Sequence, residues 1–248
     1  MEKETESYSY SKTVKICGME EEQIREEIRD LLAAQEKLVF MFRSVPGEVD
    51  IRISAQSESE EEAKMKVKGM VRELKIRLGS CIFTTDPKVT LEETIVALLK
   101  EQDMTVTTVE SCTGGMLSAR LTDVPGASGV FKQGFVTYSN KAKRKFVGVK
   151  KVTLKKYTAV SRQTAWEMAR GGAVLTGADA CVSVTGYAGP DGGENGEPAG
   201  LVYIGCKVKD RIEVEEFHFS GDRRAVRELA VVHALTLLRR CILESYQL

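Results

Sequence analysis

The sequence predicts an α/β protein in two parts: a small β-α-β-β-α two-layer sandwich over residues 13–86, then a larger layered α/β domain over residues 87–248. Two observations carry this. The first part holds one strand-helix-strand-strand-helix set and ends at Asp86-Pro87, a turn signal. From Leu91 onward, strands alternate with helices and the chain closes with a hairpin and a long helix, the pattern of a layered α/β domain.

The elements follow from periodicity. Residues 1–12 are polar and acidic and are expected to form a disordered lead-in. Thr13–Cys17 predicts a short strand. Glu20–Gln35 predicts a helix, with Ile24, Ile28, Leu31 and Leu32 on one face. Leu38–Arg43 is a largely apolar run, expected to be a buried strand, and Pro46-Gly47 a turn. Glu48–Ala55 alternates as a half-buried strand does, with Val49, Ile51, Ile53 and Ala55 inward. Glu58–Leu78 predicts a second helix with Val67, Met70, Val71 and Leu74 inward, and Gly79–Val89 a linker. Then come a helix at Leu91–Gln102, a β-branched strand at Thr105–Val109 and a helix near Met116–Leu121. A strand at Phe131–Ser139 follows, and a helix capped by Ser161 runs to about Thr176. Ala180–Thr185 is expected as a buried strand, Gly186–Ala199 as a Gly-rich loop, Leu201–Val208 and Ile212–Phe219 as a hairpin, and Arg223–Ser245 as the last helix.

Composition narrows the function classes. Apolar residues make up 42% and charged residues 29%, which describes a folded globular protein. Lys plus Arg and Asp plus Glu both number 36, so no global charge draws the chain to nucleic acid or an anionic membrane. No apolar run reaches the ~20 residues of a membrane span, and residues 1–12 lack the apolar core of a signal peptide. A cytoplasmic location is expected. The six cysteines are scattered and read as buried reduced thiols. With two histidines and no metal-ligand spacing, neither a metal nor a cofactor is expected.

Three segments after strands could carry chemistry, because ligands in open α/β sheets bind beyond the strands' carboxyl ends. In Glu-Ser-Cys-Thr-Gly-Gly (residues 110–115) a strand ends in Ser111 and glycines open a helix, whose free N–H groups suit an oxyanion or anion. Ser111 is either a nucleophile or an N-cap, and Cys112 is a rival nucleophile. In Tyr138-Ser139-Asn140-Lys141-Ala142-Lys143 a neutral Lys could serve as base, or the Lys run is a solvated face. The loop Gly186–Gly193 suits close approach to a nucleotide or is a flexible connection. Downstream, Ser220-Gly221-Asp222-Arg223-Arg224 places arginines at a helix start, where Arg223 binds phosphate or pairs with Asp222.

The ordered set Glu-Ser-Cys-Thr-Gly-Gly, Thr-Asp-Val-Pro-Gly-Ala-Ser, Tyr-Ser-Asn-x-x-Lys, Ala-Val-Ser, Gly-x-Ala-Gly-Pro-Asp-Gly-Gly and Gly-Asp-Arg, spread from Thr90 to Tyr246, resembles the CinA C-terminal domain, also found alone as the PncC-type amidase. Residues 13–86 resemble the KH-like domain that precedes it in CinA. Against the full-length pattern the chain is expected to be truncated, without the large N-terminal molybdopterin-binding-like domain. Tyr187 stands where the family often has Ile, and Glu194–Glu197 diverges.

The resemblance implies hydrolysis of the amide of nicotinamide mononucleotide to nicotinate mononucleotide and ammonia. Carried over by motif position, Ser111 is the nucleophile, Lys143 the base and Tyr138 a helper. N–H groups near Thr113, Gly114 and Gly115 hold the oxyanion. Asn140, Gly186, Gly189, Asp191, Gly192, Gly193 and Arg223 are the further substrate-contacting positions. The alternatives are a catalytically silent nucleotide-binding or protein-interaction module linked to competence or DNA damage, and a nucleic-acid adaptor acting through residues 13–86. Nucleic-acid binding is not expected of that segment. Its Gly18 is followed by Met19-Glu20-Glu21-Glu22 instead of completing a Gly-x-x-Gly loop, and it holds 12 Lys and Arg against 15 Asp and Glu. A homo-oligomer, in the form of a dimer, is expected, with a small nucleotide as ligand and no membrane partner.

Overall fold

The computed structural model describes residues 7–33 and 38–247. The chain divides into two compact units, the first ending at Thr90 and the second beginning at Leu91.

The first unit runs β1 (Tyr8–Cys17), α1 (Glu21–Glu27), α2 (Arg29–Ala33), β2 (Leu38–Val45), β3 (Glu48–Ser57), α3 (Glu60–Leu78) and β4 (Ile82–Thr84). The strands form one antiparallel sheet in the order β2-β3-β1-β4. Ile24 of α1, Ile28 between α1 and α2, and Val67, Met70 and Leu74 of α3 pack on Val14, Ile16, Val49, Ile51 and Ile53 of one sheet face. Ser59 starts α3 by accepting the Glu62 N–H (3.2 Å).

Four expectations are corrected here. Residues 8–12 are not a lead-in but strand, with Tyr8 opposite Ser57; backbone pairing needs no apolar pattern, so composition concealed it. The helix expected over 20–35 breaks at the buried Ile28, and its expected last residues, 34 and 35, lie outside the described residues. The run at Leu38–Arg43 is an edge strand rather than a buried one. Val39 and Met41 are 63% and 64% exposed, because helices cover only one face of the sheet. Within the expected linker, Ile82–Thr84 pairs with β1 at the opposite edge and buries Ile82 and Phe83.

The second unit runs α4 (Leu91–Glu101), β5 (Val106–Glu110), α5 (Met116–Thr122), β6 (Phe131–Val136), α6 (Asn140–Val147), α7 (Lys151–Tyr157), α8 (Arg162–Thr176), β7 (Ala180–Gly186), β8 (Leu201–Val208), β9 (Arg211–His218) and α9 (Arg223–Tyr246). Its sheet has the order β6-β5-β7-β8-β9. The first three strands are parallel and the last two antiparallel. β7 is buried along Ala180–Thr185 because both faces are covered. Cys181 and Ser183 face α8, where Gly172 leaves room for Cys181 and the Ser183 hydroxyl donates to the Ala165 carbonyl (2.7 Å). The alternate residues point the other way, toward α9. A Cβ on Gly172 would come within 2.5 Å of Val109 and 2.7 Å of Cys181, so only glycine lets α8 lie this close.

This topology positions the site. The chain leaves β5 for β6 on one side and returns to β7 on the other, so three carboxyl ends meet beside the β5 exit. The strand expected over Phe131–Ser139 stops at Val136. Thr137–Ser139 then turns into α6, which Ser139 caps by accepting the Ala142 N–H (3.1 Å).

Candidate active site

Ser111 follows β5 directly and is pinned to the next strand, its N–H donating to the Val184 carbonyl (2.9 Å). The α6 helix, set down by the Ser139 cap, sends Lys143 inward. Lys143 is 1% exposed and Ser111 8% exposed. The Lys143 Nζ lies 2.8 Å from the Ser111 Oγ and donates to the Thr137 carbonyl, also at 2.8 Å. Both partners are neutral, and among the described residues no carboxylate offsets the charge. Burial therefore lowers the amine from its usual range to about 8. A sizeable neutral fraction near pH 8 gives the Ser111 proton an acceptor. The neighbouring Cys112 is pushed the other way, its thiol raised by burial to about 11, which leaves it protonated and a poor nucleophile.

The loop from Ser111 to α5 is held by charges at both ends. The Glu110 carboxylate is fully buried and accepts from the N–H groups of Gly115 (2.9 Å), Leu117 (3.1 Å) and Ser118 (2.9 Å) and from the Ser118 hydroxyl (2.6 Å). It acts as a cap supplied by the preceding strand, with its charge at the positive end of the helix. From α9, the Arg227 guanidinium donates to the carbonyls of Cys112 (3.0 Å) and Thr113 (2.8 Å). Gly114 (φ 61°) and Gly115 (φ 99°) make the turn in the left-handed region that favours glycine.

A cavity of about 240 Å³ opens over this pair, lined among others by Ser111, Cys112, Tyr138, Lys143, Thr185 and Arg223. Of the positions expected from sequence, the fold brings together Ser111, Tyr138, Lys143, Gly186, Gly189, Asp191 and Arg223. Thr113, Gly114, Gly115, Asn140, Gly192 and Gly193 are not among its lining residues. Gly192 and Gly193 pack on their own loop, against Glu197 and Tyr187, and Asn140 opens α6 at the surface.

Two role assignments change with the geometry. The amides of Gly114 and Gly115 are already spent, on the Ser111 carbonyl (3.1 Å) and on Glu110. The next N–H groups after Ser111 are those of Cys112 and Thr113, which lie near the Cys112 thiol, and Cys112 is one of the residues lining the cavity. Tyr138 bonds neither Ser111 nor Lys143. Its side chain is on the rim, and its hydroxyl accepts from Arg223 (3.0 Å). Arg223 does not pair with Asp222 either. It donates to the Gly189 carbonyl (2.7 Å), while Asp222 caps α9 through the N–H groups of Arg224 and Ala225, each at 2.9 Å.

The residue types, order and geometry meet in one family: residues 88–242 match the CinA C-terminal domain, and residues 11–84 match the damage-inducible protein CinA KH domain. The chain belongs to the CinA family.

Among its CinA relatives, a putative competence-damage inducible protein of Clostridium novyi is 44% identical over 95% of this chain and 56% of its own length. Another, of Caldicellulosiruptor bescii, is 43% identical over 98% of this chain and 59% of its own. The chain thus spans a little over half the length of these curated relatives. Among solved structures, a CinA superfamily protein of Klebsiella pneumoniae is 38% identical with a TM-score of 0.60, covering 63% of this chain and 99% of that one. One from Escherichia coli is 36% identical with a TM-score of 0.59, covering 65% and 97%. Among the described residues no helix is long and apolar enough to cross a membrane.

Sequence reasoning missed several residues of this CinA site. Thr185, Ala159 and Val160 line the cavity, with the Thr185 hydroxyl tying β7 to the Ala159 carbonyl (2.7 Å). Glu110 and Arg227 carried readable signals. Glu110 opens the first motif, just before a helix start, where a carboxylate is favourable. Arg227 stands four residues after Arg223 and so shares its helix face.

Proposed function

We propose that the second unit is an amidase that hydrolyses the carboxamide of nicotinamide mononucleotide to nicotinate mononucleotide and ammonia. The observation that carries this is the buried Lys143 amine, uncompensated by a carboxylate, 2.8 Å from the Ser111 hydroxyl at the floor of a cavity. Arg223 on the rim of that cavity suits the nucleotide phosphate.

The steps follow from these groups. Ser111 Oγ attacks the carboxamide carbon while its proton passes to Lys143 Nζ, and the carbonyl oxygen becomes an oxyanion facing the N–H groups of Cys112 and Thr113. The C–N bond breaks as Lys143 returns the proton to the departing nitrogen, releasing ammonia and leaving a Ser111 ester. Water then attacks the ester, gives its proton to Lys143, and the Ser111 oxygen leaves, recovering that proton. The Thr137 carbonyl holds the amine in place through each transfer.

The test is incubation with nicotinamide mononucleotide and measurement of ammonia. Release that disappears in Ser111→Ala and persists with a chelator supports the reading. No release from the native protein favours a silent binding module.

A further inference from the structure

We propose that Arg227 is a positioning residue for the nucleophile loop, fixing the peptide plane that presents the oxyanion donor; this rests on the amidase reading. The two carbonyls it holds belong to consecutive residues, Cys112 and Thr113. A peptide unit is planar and trans, so its N–H points opposite its C=O. The unit whose carbonyl is that of Cys112 carries the N–H of Thr113. Drawing that carbonyl onto α9 therefore turns the Thr113 N–H away from α9 and toward the thiol of Cys112, a residue that lines the cavity.

The adjoining peptide is tied by the Gly114 N–H on the Ser111 carbonyl (3.1 Å) and the Met116 N–H on the Thr113 carbonyl (3.3 Å), but neither bond reaches the Cys112 carbonyl or the Thr113 N–H. The loop's turn is made by Gly114 and Gly115, the residues with the widest backbone freedom. Glu110 anchors the helical side through Gly115, Leu117 and Ser118 but touches neither the Cys112 nor the Thr113 amide. Among the described residues neither of those N–H groups donates to a backbone carbonyl. The Thr113 hydroxyl is buried without a partner, so it does not lock the loop. Among the described residues Arg227 is the side chain that bonds the Cys112 and Thr113 carbonyls, and it does so with two of its donors in a fork. A lysine offers a single point charge and cannot reproduce two forked contacts on successive carbonyls. Arg227 itself is not among the residues lining the cavity, so its action on the reaction passes through the loop.

The test uses the full chain with Arg227→Met and Arg227→Lys. Two activities are followed: ammonia release from nicotinamide mononucleotide, and covalent labelling of Ser111 by a fluorophosphonate, read by intact mass. Labelling also develops charge on an oxygen beside Ser111. The expected result in Arg227→Met is a fall in kcat of ~10²-fold, the scale of one lost oxyanion donor. KM should stay within about twofold, because ground-state binding is untouched. Labelling should slow in parallel, and Arg227→Lys should fall between Met and native. The pH midpoint set by Lys143 should not move, which a general collapse of the site would not leave intact. A raised KM with kcat retained would assign Arg227 to substrate contact and overturn the proposal. So would native rates in both variants, or an early melting transition in both, which would mark a structural arginine. If the native protein labels at Ser111 but releases no ammonia, the substrate is wrong while labelling still decides Arg227. Absence of native labelling removes the nucleophile and the proposal with it.

Discussion

At Lys143, an amine is surrounded by the Ser111 hydroxyl and the Thr137 carbonyl, and neither stabilises its charge as a carboxylate would. The sign of the pH dependence follows. In the proposed mechanism the active form is the neutral amine, and burial lowers the folded value to about 8. Activity should therefore rise about tenfold per pH unit below 8 and level off above it. A profile flat from pH 6 to 9 would remove Lys143 from the base role. In the proposed mechanism Ser111 and Lys143 act as one unit, so Ser111→Ala and Lys143→Ala should each lose ~10³-fold or more in kcat. Cys112→Ala should keep most activity, because a thiol held near 11 is protonated at the pH where the amine works. The rim is a separate matter. Arg223→Ala should raise KM for the nucleotide and leave any activity on nicotinamide riboside, which lacks the phosphate, nearly unchanged. Equal losses on both substrates would make Arg223 a support for the Gly189 loop.

At the scale of elements, β5, the Ser111 loop and α5 form one piece of strand-turn-helix stitched by Glu110. Four donors converge on one buried carboxylate, three of them backbone N–H groups in the first turns of α5. Glu110→Gln keeps the shape but puts an NH₂ where one of the acceptor oxygens was, leaving buried donors facing a donor. Thermal and denaturant unfolding should report a loss of ~2–4 kcal/mol, the scale of unsatisfied buried hydrogen-bonding groups. A variant as stable as the native protein would mean that α5 is held by its other contacts. The sequence made β5 and α5 legible because their apolar periods differ. It did not reveal the stitch, since Glu110 is separated from Ser118 by a turn whose geometry depends on two left-handed glycines.

At the scale of the molecule, every residue of the candidate site falls after Leu91, in the second unit. A fragment beginning at residue 88 should therefore retain most of the ammonia release of the full chain, measured side by side. A dead but folded fragment would tie catalysis to the first unit. That first unit is expected not to bind nucleic acid, because residues 13–86 carry a net charge of about −3 and phosphate binding relies on cations. Titrating labelled single-stranded DNA and RNA with the full chain at low salt should give no micromolar, salt-sensitive binding. Such binding would redirect the function toward an adaptor.

What the sequence determined by itself was the kind of fold and the residue types, Ser111 and Lys143 among them, that meet in the candidate site. Hydrophobic period separates strand from helix wherever one face is buried, and an ordered motif set links Ser111 to Lys143 across a sequence separation of 32. Tertiary structure decided the rest, because those questions concern pairing across space. Whether Leu38–Val45 is central or an edge depends on where the helices lie, and whether Ile82–Thr84 is linker or strand depends on the free edge of β1. The state of Lys143 is set by burial, which no local run of lysines discloses. Which amides remain free for the proposed oxyanion depends on those that Glu110 and the loop's own carbonyls already occupy, and a hydrogen bond that is spent cannot be read from a motif.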